Sequence, residues 1–527
     1  MQVVTIINIK RRKKFIMEKS RTQNAKLNII AGFINKVIML LFPFLIRTVL
    51  VRTLGTEYLG LNSLFSSILQ VLNLAELGFS SAVVFSMYKP IAEKDKKTIC
   101  ALMNLYKKIY NIIGIVVFSV GICLMPFLKF LINGSYPQEI NLYVVFLLYL
   151  INTSFTYFLF AYKNAILVAH QRSDITSNVL SLTSIIQYIL QIVILYTTKN
   201  YYLYMIANLA TTALNNILVN MIATKKYPQY ICKGKINNEL KKDIKKRVTG
   251  LMINKICQTT RNSFDSIFIS AFLGLDMVAI YNNYYTIMSA IIALMSIVGD
   301  AILAGVGNSI VTETREKNYA DLKKINFIYM WVAGIATACM LNLYQPFMKI
   351  WMGENMLLPF RMVILFCIYF FVLKMGDIRS VYTDANGLWW ENRYKAILES
   401  IANIVLNYIL GKYLGLYGIV LATIISLFFI NFLYGSQILF KYYFTNVLVM
   451  DYFKQQGLYA ITTLIVCFIT YDISNSISIN NNILNLVTRF IITFVVGMII
   501  YSICYCKNIN FRETKKMIRE ILKRKAN

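Results

Sequence analysis

The chain has 527 residues, 57% of them hydrophobic and only 15% charged, with a formal net charge of +30. Soluble domains carry about 25% charged residues, so a chain this long and this apolar lacks the polar surface that a soluble protein needs. The positive charge would point to nucleic acid in a soluble protein, but here the basic residues sit in short segments between long apolar blocks, and no nucleic-acid partner is expected.

The first segment, 1–27, is basic, with Lys10-Arg11-Arg12-Lys13-Lys14 in its middle. No small-residue cleavage site follows a short apolar region, so no removable signal peptide is predicted; Met17 offers a second plausible start. A helix crosses a bilayer with about 20 mainly apolar residues. By that measure fourteen spans are predicted, at 28–50, 59–87, 109–132, 140–167, 177–197, 201–223, 250–272, 277–310, 325–347, 358–382, 395–413, 415–440, 457–474 and 483–505. With the N-terminus in the cytoplasm and loops alternating, roughly 40 of the 54 basic residues fall on inside segments and roughly 6 on outside ones. That asymmetry predicts an even number of spans with both termini cytoplasmic. Residues 225–249 form a basic cytoplasmic linker in which Glu239–Lys246 reads as a surface helix on the anionic leaflet. Residues 506–527 form a basic cytoplasmic tail. The outside loops reach only about ten residues, which leaves no room for an external catalytic domain.

The nine cysteines contain no Cys-x-x-Cys pair, and His170 is the single histidine. Neither a disulfide framework nor a metal site is predicted. His170 reads as an interfacial residue at the inner end of the fourth span.

The chain repeats itself. Ile34-Asn35-Lys36 recurs as Ile253-Asn254-Lys255, 219 residues on, and Leu54-Gly55 recurs at the same offset as Leu273-Gly274. Asn62 matches Asn282, and Tyr188-Ile189-Leu190 matches Tyr408-Ile409-Leu410, each 220 apart. The offset spans six helices, an even number, so both halves insert with the same orientation. Parallel halves of this kind place a transport site between them. The expected fold is therefore all-α: an N-terminal six-helix bundle at 28–224, a C-terminal one at 250–440 facing it across a lumen, and two additional helices at 441–505.

Several spans carry polar stripes. In the seventh, Lys255, Gln258, Arg261, Asn262, Asp265 and Ser266 fall within a sector of about 140°, and Arg261 and Asp265, one turn apart, can pair. The second span carries Asn62, Ser66, Asn73, Glu76 and Ser80. The eighth carries Asn282, Thr286, Ser289, Ser296 and Asp300. Lys36 and Arg47 share a face of the first, and Lys374, Asp377 and Arg379 lie near the inner end of the tenth. A charge at mid-bilayer costs at least about 2.5–3.5 kcal/mol, so matched charged faces imply a shared polar interior with surplus positive charge. Such an interior suits a phosphate, bound bidentately by Arg and as a point charge by Lys. Lys36, Arg47, Lys255, Arg261 and Asn262 are the candidate substrate-binding residues. Glu76, Asp265, Asp300 and Asp377 are candidate carboxylates for a coupling proton or sodium ion; no other cofactor is expected.

The stretch Arg47-Thr48-Val49-Leu50-Val51-Arg52-Thr53-Leu54-Gly55-Thr56-Glu57-Tyr58-Leu59-Gly60-Leu61-Asn62 resembles the start of the polysaccharide biosynthesis exporters. So do Leu64–Leu69, Ala75-Glu76-Leu77-Gly78-Phe79-Ser80-Ser81-Ala82 and Tyr88-Lys89-Pro90. These proteins flip O-antigen, capsule and exopolysaccharide repeat units, in the superfamily that also holds multidrug antiporters and lipid II flippases. The resemblance implies a MATE-like fold and a bacterial cytoplasmic-membrane transporter, not an enzyme. It further implies that an undecaprenyl-diphosphate-linked oligosaccharide is moved by alternating access, with a polysaccharide polymerase and chain-length proteins as partners. The alternative is a cation-coupled multidrug or small-molecule antiporter of the same fold. That activity needs a lumen rich in carboxylates, whereas the first and seventh spans are net basic.

Overall fold

The computed structural model describes residues 21–76, 79–477, 479–508 and 511–513, and among them every regular element is a helix. In chain order these are α1 (Arg21–Leu54), α2 (Thr56–Leu72), a 3-10 turn (Asn73–Glu76), α3 (Phe79–Ala92), α4 (Lys96–Leu124), α5 (Leu142–Phe158), α6 (Ala161–Ala169), α7 (Ser173–Thr198) and α8 (Tyr201–Lys226). There follow α9 (Asn238–Leu273), α10 (Leu275–Thr312), α11 (Arg315–Met352), α12 (Phe360–Met375), α13 (Asp377–Ala385), α14 (Arg393–Leu414), α15 (Leu416–Ile425), a π-helical stretch (Ser426–Tyr434), α16 (Gly435–Tyr442), α17 (Val449–Asn475) and α18 (Asn482–Tyr505).

Each of the fourteen predicted spans falls on one helix or on helices joined at a short break. Among the described residues nine helices are long and apolar enough to cross a membrane, and a tenth span results if α5 and α6, bent by 47°, count together. The chain is an integral multi-pass membrane protein. The second, seventh, tenth and eleventh spans do not meet that measure. The second and tenth are broken, and the seventh, tenth and eleventh carry buried charged side chains such as Arg261, Arg379 and Glu399, groups that neighbouring helices satisfy in a membrane.

Two differences from the sequence expectation concern continuity. The second span was expected to be one helix over 59–87; it breaks after Leu72, where Asn73 and Glu76 form a 3-10 turn. The linker helix was expected to lie apart from the seventh span. Instead Asn238–Leu273 is a single 36-residue helix, because nothing between Glu239 and the apolar run, neither proline nor a positive-φ glycine, stops it.

The chain divides into two units, one of Met1–Phe130 with Tyr136–Lys255, the other of Leu131–Ser135 with Ile256–Asn527. In the first, α1 packs along α7, α7 along α8, and α5 against α4 and α8. Its core is aromatic: Phe65 meets Phe146 edge-on at 5.1 Å, and the buried hydroxyls of Tyr149 and Tyr201 are 3.1 Å apart. In the second, α14 packs on α15, and α11 is held by α12, α17 and α18. There Tyr284 donates to Gln345 Oε1 at 3.0 Å, and Tyr344 donates to the Tyr284 carbonyl at 3.1 Å.

The repeat has a backbone counterpart. Gly55 precedes α2 with φ 107° and ψ 176°, and Gly274 precedes α10 with φ 86° and ψ 177°. Gly55 N–H donates to the Val51 carbonyl at 3.0 Å, and Gly274 N–H to the Ser270 carbonyl at 3.1 Å. Only glycine enters this region without strain, which accounts for the recurrence of Leu-Gly at both places.

Candidate functional site

In the first unit, Lys36 is exposed on α1 and Arg47 is half-buried three turns further along. Arg47 lies within electrostatic reach of Tyr204 of α8, whose hydroxyl accepts from Asn62 Nδ2 at 3.4 Å. Glu76 closes the 3-10 turn that breaks the second span and accepts a hydrogen bond from Tyr110 Oη. Around it, Tyr157 donates to Asn73 Oδ1 at 2.8 Å, Tyr106 donates to Ser80 Oγ at 3.0 Å, and Tyr106 stacks on Tyr110. The break thus lies in a tyrosine-lined polar cluster that binds its exposed side-chain groups. His170, at the end of α6, packs its ring on Tyr227 and Tyr230.

The second unit holds a larger polar interior. Asp265 of α9 is fully buried, and four hydrogen bonds reach its carboxylate from three neighbours. Asn407 Nδ2 donates to Oδ1 at 2.7 Å, Thr423 Oγ1 lies 3.2 and 3.1 Å from the two oxygens, and Tyr281 donates to Oδ2 at 3.1 Å. Asn403 extends the cluster, donating to Thr423 Oγ1 at 3.1 Å. Arg261, one turn before Asp265, was expected to pair with it. Its Nη1 instead donates to Glu399 Oε1 of α14 at 2.9 Å, with both side chains buried. The helix turns Arg261 toward α14, while amide and hydroxyl donors already occupy the Asp265 oxygens.

Glu399 passes the network on. Its Oε2 accepts from Asn431 Nδ2 at 2.9 Å and lies 3.9 Å from Lys395 Nζ. Asn431 in turn receives Arg379 Nη2 on both its carbonyl and its Oδ1, each at 3.0 Å. Asn431 lies in the π-helical stretch, whose wider turn releases backbone carbonyls from the usual ladder, and Arg379 takes one of them. A side chain on Gly435 would put its Cβ 2.8 Å from Arg379 Nη1, so glycine leaves room for the guanidinium. At the start of α13, Asp377 Oδ2 accepts from Lys374 at 2.7 Å and from Tyr329 at 2.5 Å. The side chains of Lys255, Gln258, Asn262 and Asp300 lie outside the described residues.

Among the described residues no group of three or more His, Cys, Asp or Glu side chains could hold a metal ion, and the described cysteines are all free. The arrangement is a polar interior: charges buried in helices and held by polar partners. The family model described as "Polysaccharide biosynthesis protein" matches residues 25–303, more than half of the chain.

The chain belongs to the polysaccharide biosynthesis protein family.

Solved structures place this polysaccharide biosynthesis protein in a known fold. The inward closed lipid II flippase MurJ is 18% identical, with a TM-score of 0.62 over 92% of this chain and 99% of its own. An inward-facing multidrug resistance MATE family transporter of the MOP superfamily is 16% identical, with a TM-score of 0.58 over 78% and 97%. The Vibrio cholerae MATE transporter VcmN is 12% identical, with a TM-score of 0.54 over 80% and 97%. At these identities the likeness concerns the fold. No curated protein sequence matches the chain.

Sequence reasoning missed several members of the network: Glu399, Asn403, Asn407, Thr423 and Asn431. Glu399, Asn403 and Asn407 recur every four residues in an otherwise apolar span, so helical periodicity could have revealed that stripe. Thr423 and Asn431 carry no such signal, since a single small polar residue in an apolar helix is common.

Proposed function

We propose that this protein flips an undecaprenyl-diphosphate-linked oligosaccharide repeat unit across the bacterial cytoplasmic membrane, by alternating access, for surface polysaccharide assembly. The observation that carries the reading is the family match over residues 25–303. Cationic side chains on the membrane spans, Lys36 and Arg47, support it, because a diphosphate crossing a bilayer needs fixed positive charge to replace water; Arg261, whose charge is shared with Glu399, belongs to the proposed set as well. Lys255 and Asn262 complete the proposed binding set. Both termini would lie in the cytoplasm, and a polymerase with its chain-length proteins would take up the delivered units.

The coupling cation, a proton or sodium, is assigned in this reading to Asp265. Its carboxylate and the Thr423 hydroxyl supply oxygen ligands of the kind that a hard cation prefers. Glu76, Asp300 and Asp377 are the further carboxylates of the proposal.

The test is deletion of the gene in its host, with analysis of surface polysaccharide and of membrane-bound lipid-linked oligosaccharide. Loss of polymer with complete repeat units stranded on the cytoplasmic leaflet supports the flippase. Normal polysaccharide with new sensitivity to cationic drugs would favour the antiporter instead.

A further inference from the structure

At the lysine-rich end of the second unit, where α11 and α17 begin and α18 ends, a cavity of about 390 Å³ is lined by Lys323, Gln455, Leu458, Tyr459, Tyr505 and Lys507. It is separate from the Arg261 and Asp265 networks, and nothing in the proposed transport cycle uses it. Its volume falls in the range of small-ligand sites, about 300–1,000 Å³.

Its chemistry is specific. Lys323 and Lys507 form no ion pair among the described residues. Lys324, next in sequence to Lys323, already holds Glu513 at 2.8 Å and Asp321 at 3.9 Å. Gln455 Oε1, a buried polar atom at the cavity, has no hydrogen-bond partner, and the Tyr505 hydroxyl, on a residue only 5% exposed, has only the Thr462 hydroxyl near it. Buried polar atoms without partners are uncommon and call for an explanation. The ring of Tyr505 is fixed by Phe327 at 5.1 Å and Tyr459 at 6.1 Å, so the hydroxyl keeps its place. On one side the cavity meets Leu458, which begins an exposed apolar ridge along α17 through Ile461, Ile465 and Phe468. These positions share one helix face, and such a face on a membrane span meets acyl chains.

We propose that this cavity binds a phosphate-bearing headgroup, as an anionic phospholipid of the adjacent leaflet presents it. The phosphate oxygens accept from Lys323, Lys507 and the Tyr505 hydroxyl, and a headgroup hydroxyl or amine donates to Gln455 Oε1. The acyl chains leave over Leu458 onto the apolar ridge. The inference stands independently of the transported substrate.

The test uses the purified full chain. Native mass spectrometry in equimolar phosphatidylglycerol and phosphatidylcholine reads the lipid source. The melting temperature with and without inorganic phosphate reads the free-anion source. We expect the wild type to retain phosphatidylglycerol over phosphatidylcholine by about tenfold, the worth of one charge-assisted hydrogen bond. K323Q/K507Q and, separately, Y505F should lose most of that preference while eluting as the wild type does. If phosphate raises the melting temperature of the wild type and not of K323Q/K507Q, with no lipid preference, the phosphate site stands and its ligand is the free anion. If neither measurement separates the wild type from K323Q/K507Q or from Y505F, the proposal is overturned. The single variant K507Q, changed at an exposed position, gives the same reading should the double variant fold poorly.

Discussion

Arg261 reaches across from α9 to Glu399 of α14, its Nη1 2.9 Å from Oε1, although Asp265 stands one turn away on its own helix. The pair joins residues 138 positions apart in the chain. Removing one partner of a buried pair leaves the other charge uncompensated and typically costs about 3–5 kcal/mol. Arg261→Gln and Glu399→Gln are each expected to lower thermal stability on that scale. The double variant should lose clearly less than the sum, because neither charge is then left alone. Melting curves of the purified variants decide it, and strictly additive losses would show that the pair is not coupled.

Asp265→Asn keeps the size of the side chain and removes the charge. If Asp265 holds the coupling cation, the variant should reach the membrane at wild-type abundance while export falls by at least about tenfold, the loss of a single charge-assisted interaction. Immunoblotting of membranes beside quantification of surface polysaccharide separates the two effects. Wild-type export from the variant would remove Asp265 from the mechanism.

The two repeat glycines allow a paired experiment. Gly55→Ala and Gly274→Ala each force a side chain into a backbone region that glycine alone adopts easily, at φ 107° and 86°. Each should cost about 1–3 kcal/mol. In the melting curves Gly274→Ala is expected to lose more, because its Cβ would lie 2.7 Å from the Asn133 carbonyl oxygen, whereas nothing lies within 4 Å of a Cβ at Gly55. A substitution at either site without effect would mean that the turn can adopt another backbone conformation.

Gly334 marks the tightest approach in the C-terminal part of the second unit. A Cβ there would lie 1.7 Å from Tyr501 Oη and 2.7 Å from Thr463 Oγ1, and these two hydroxyls are themselves 2.6 Å apart. Gly334→Ala should push α18 from α11 and cost about 1–3 kcal/mol, the usual penalty of overpacking. Adding Tyr501→Phe removes the nearest oxygen and should recover part of the loss. A melting temperature for Gly334→Ala equal to that of the wild type would contradict this packing.

The sequence carried the site unevenly. Arg261 and Asp265 stood out because a charge in an apolar span is conspicuous wherever its partner lies. Glu399 was equally charged, yet it sits near the basic inner end of its span, four residues after Lys395, where a carboxylate looks like an ordinary surface residue. Its role appears only when α9 and the π-helical stretch close over it, bringing Arg261 and Asn431 to its two oxygens. Arg379 was visible as a charge near a helix end, but its slot against Gly435 depends on a π-helical turn that no local pattern in Ser426–Tyr434 announces.

By itself the sequence determined the membrane class, the approximate positions of the spans and the recurrence of Leu-Gly that the structure places at two equivalent turns. All of these follow from local quantities: the length of an apolar run against the bilayer thickness, and a residue's fitness for its own backbone angles. Only the tertiary structure decided the partners. Asp265 takes Thr423 from 158 residues away, and Arg261 takes Glu399 rather than its neighbour one turn on. Which polar groups meet depends on how each helix is rotated and packed against the others, and hydropathy, which fixes where a helix lies, leaves that rotation open.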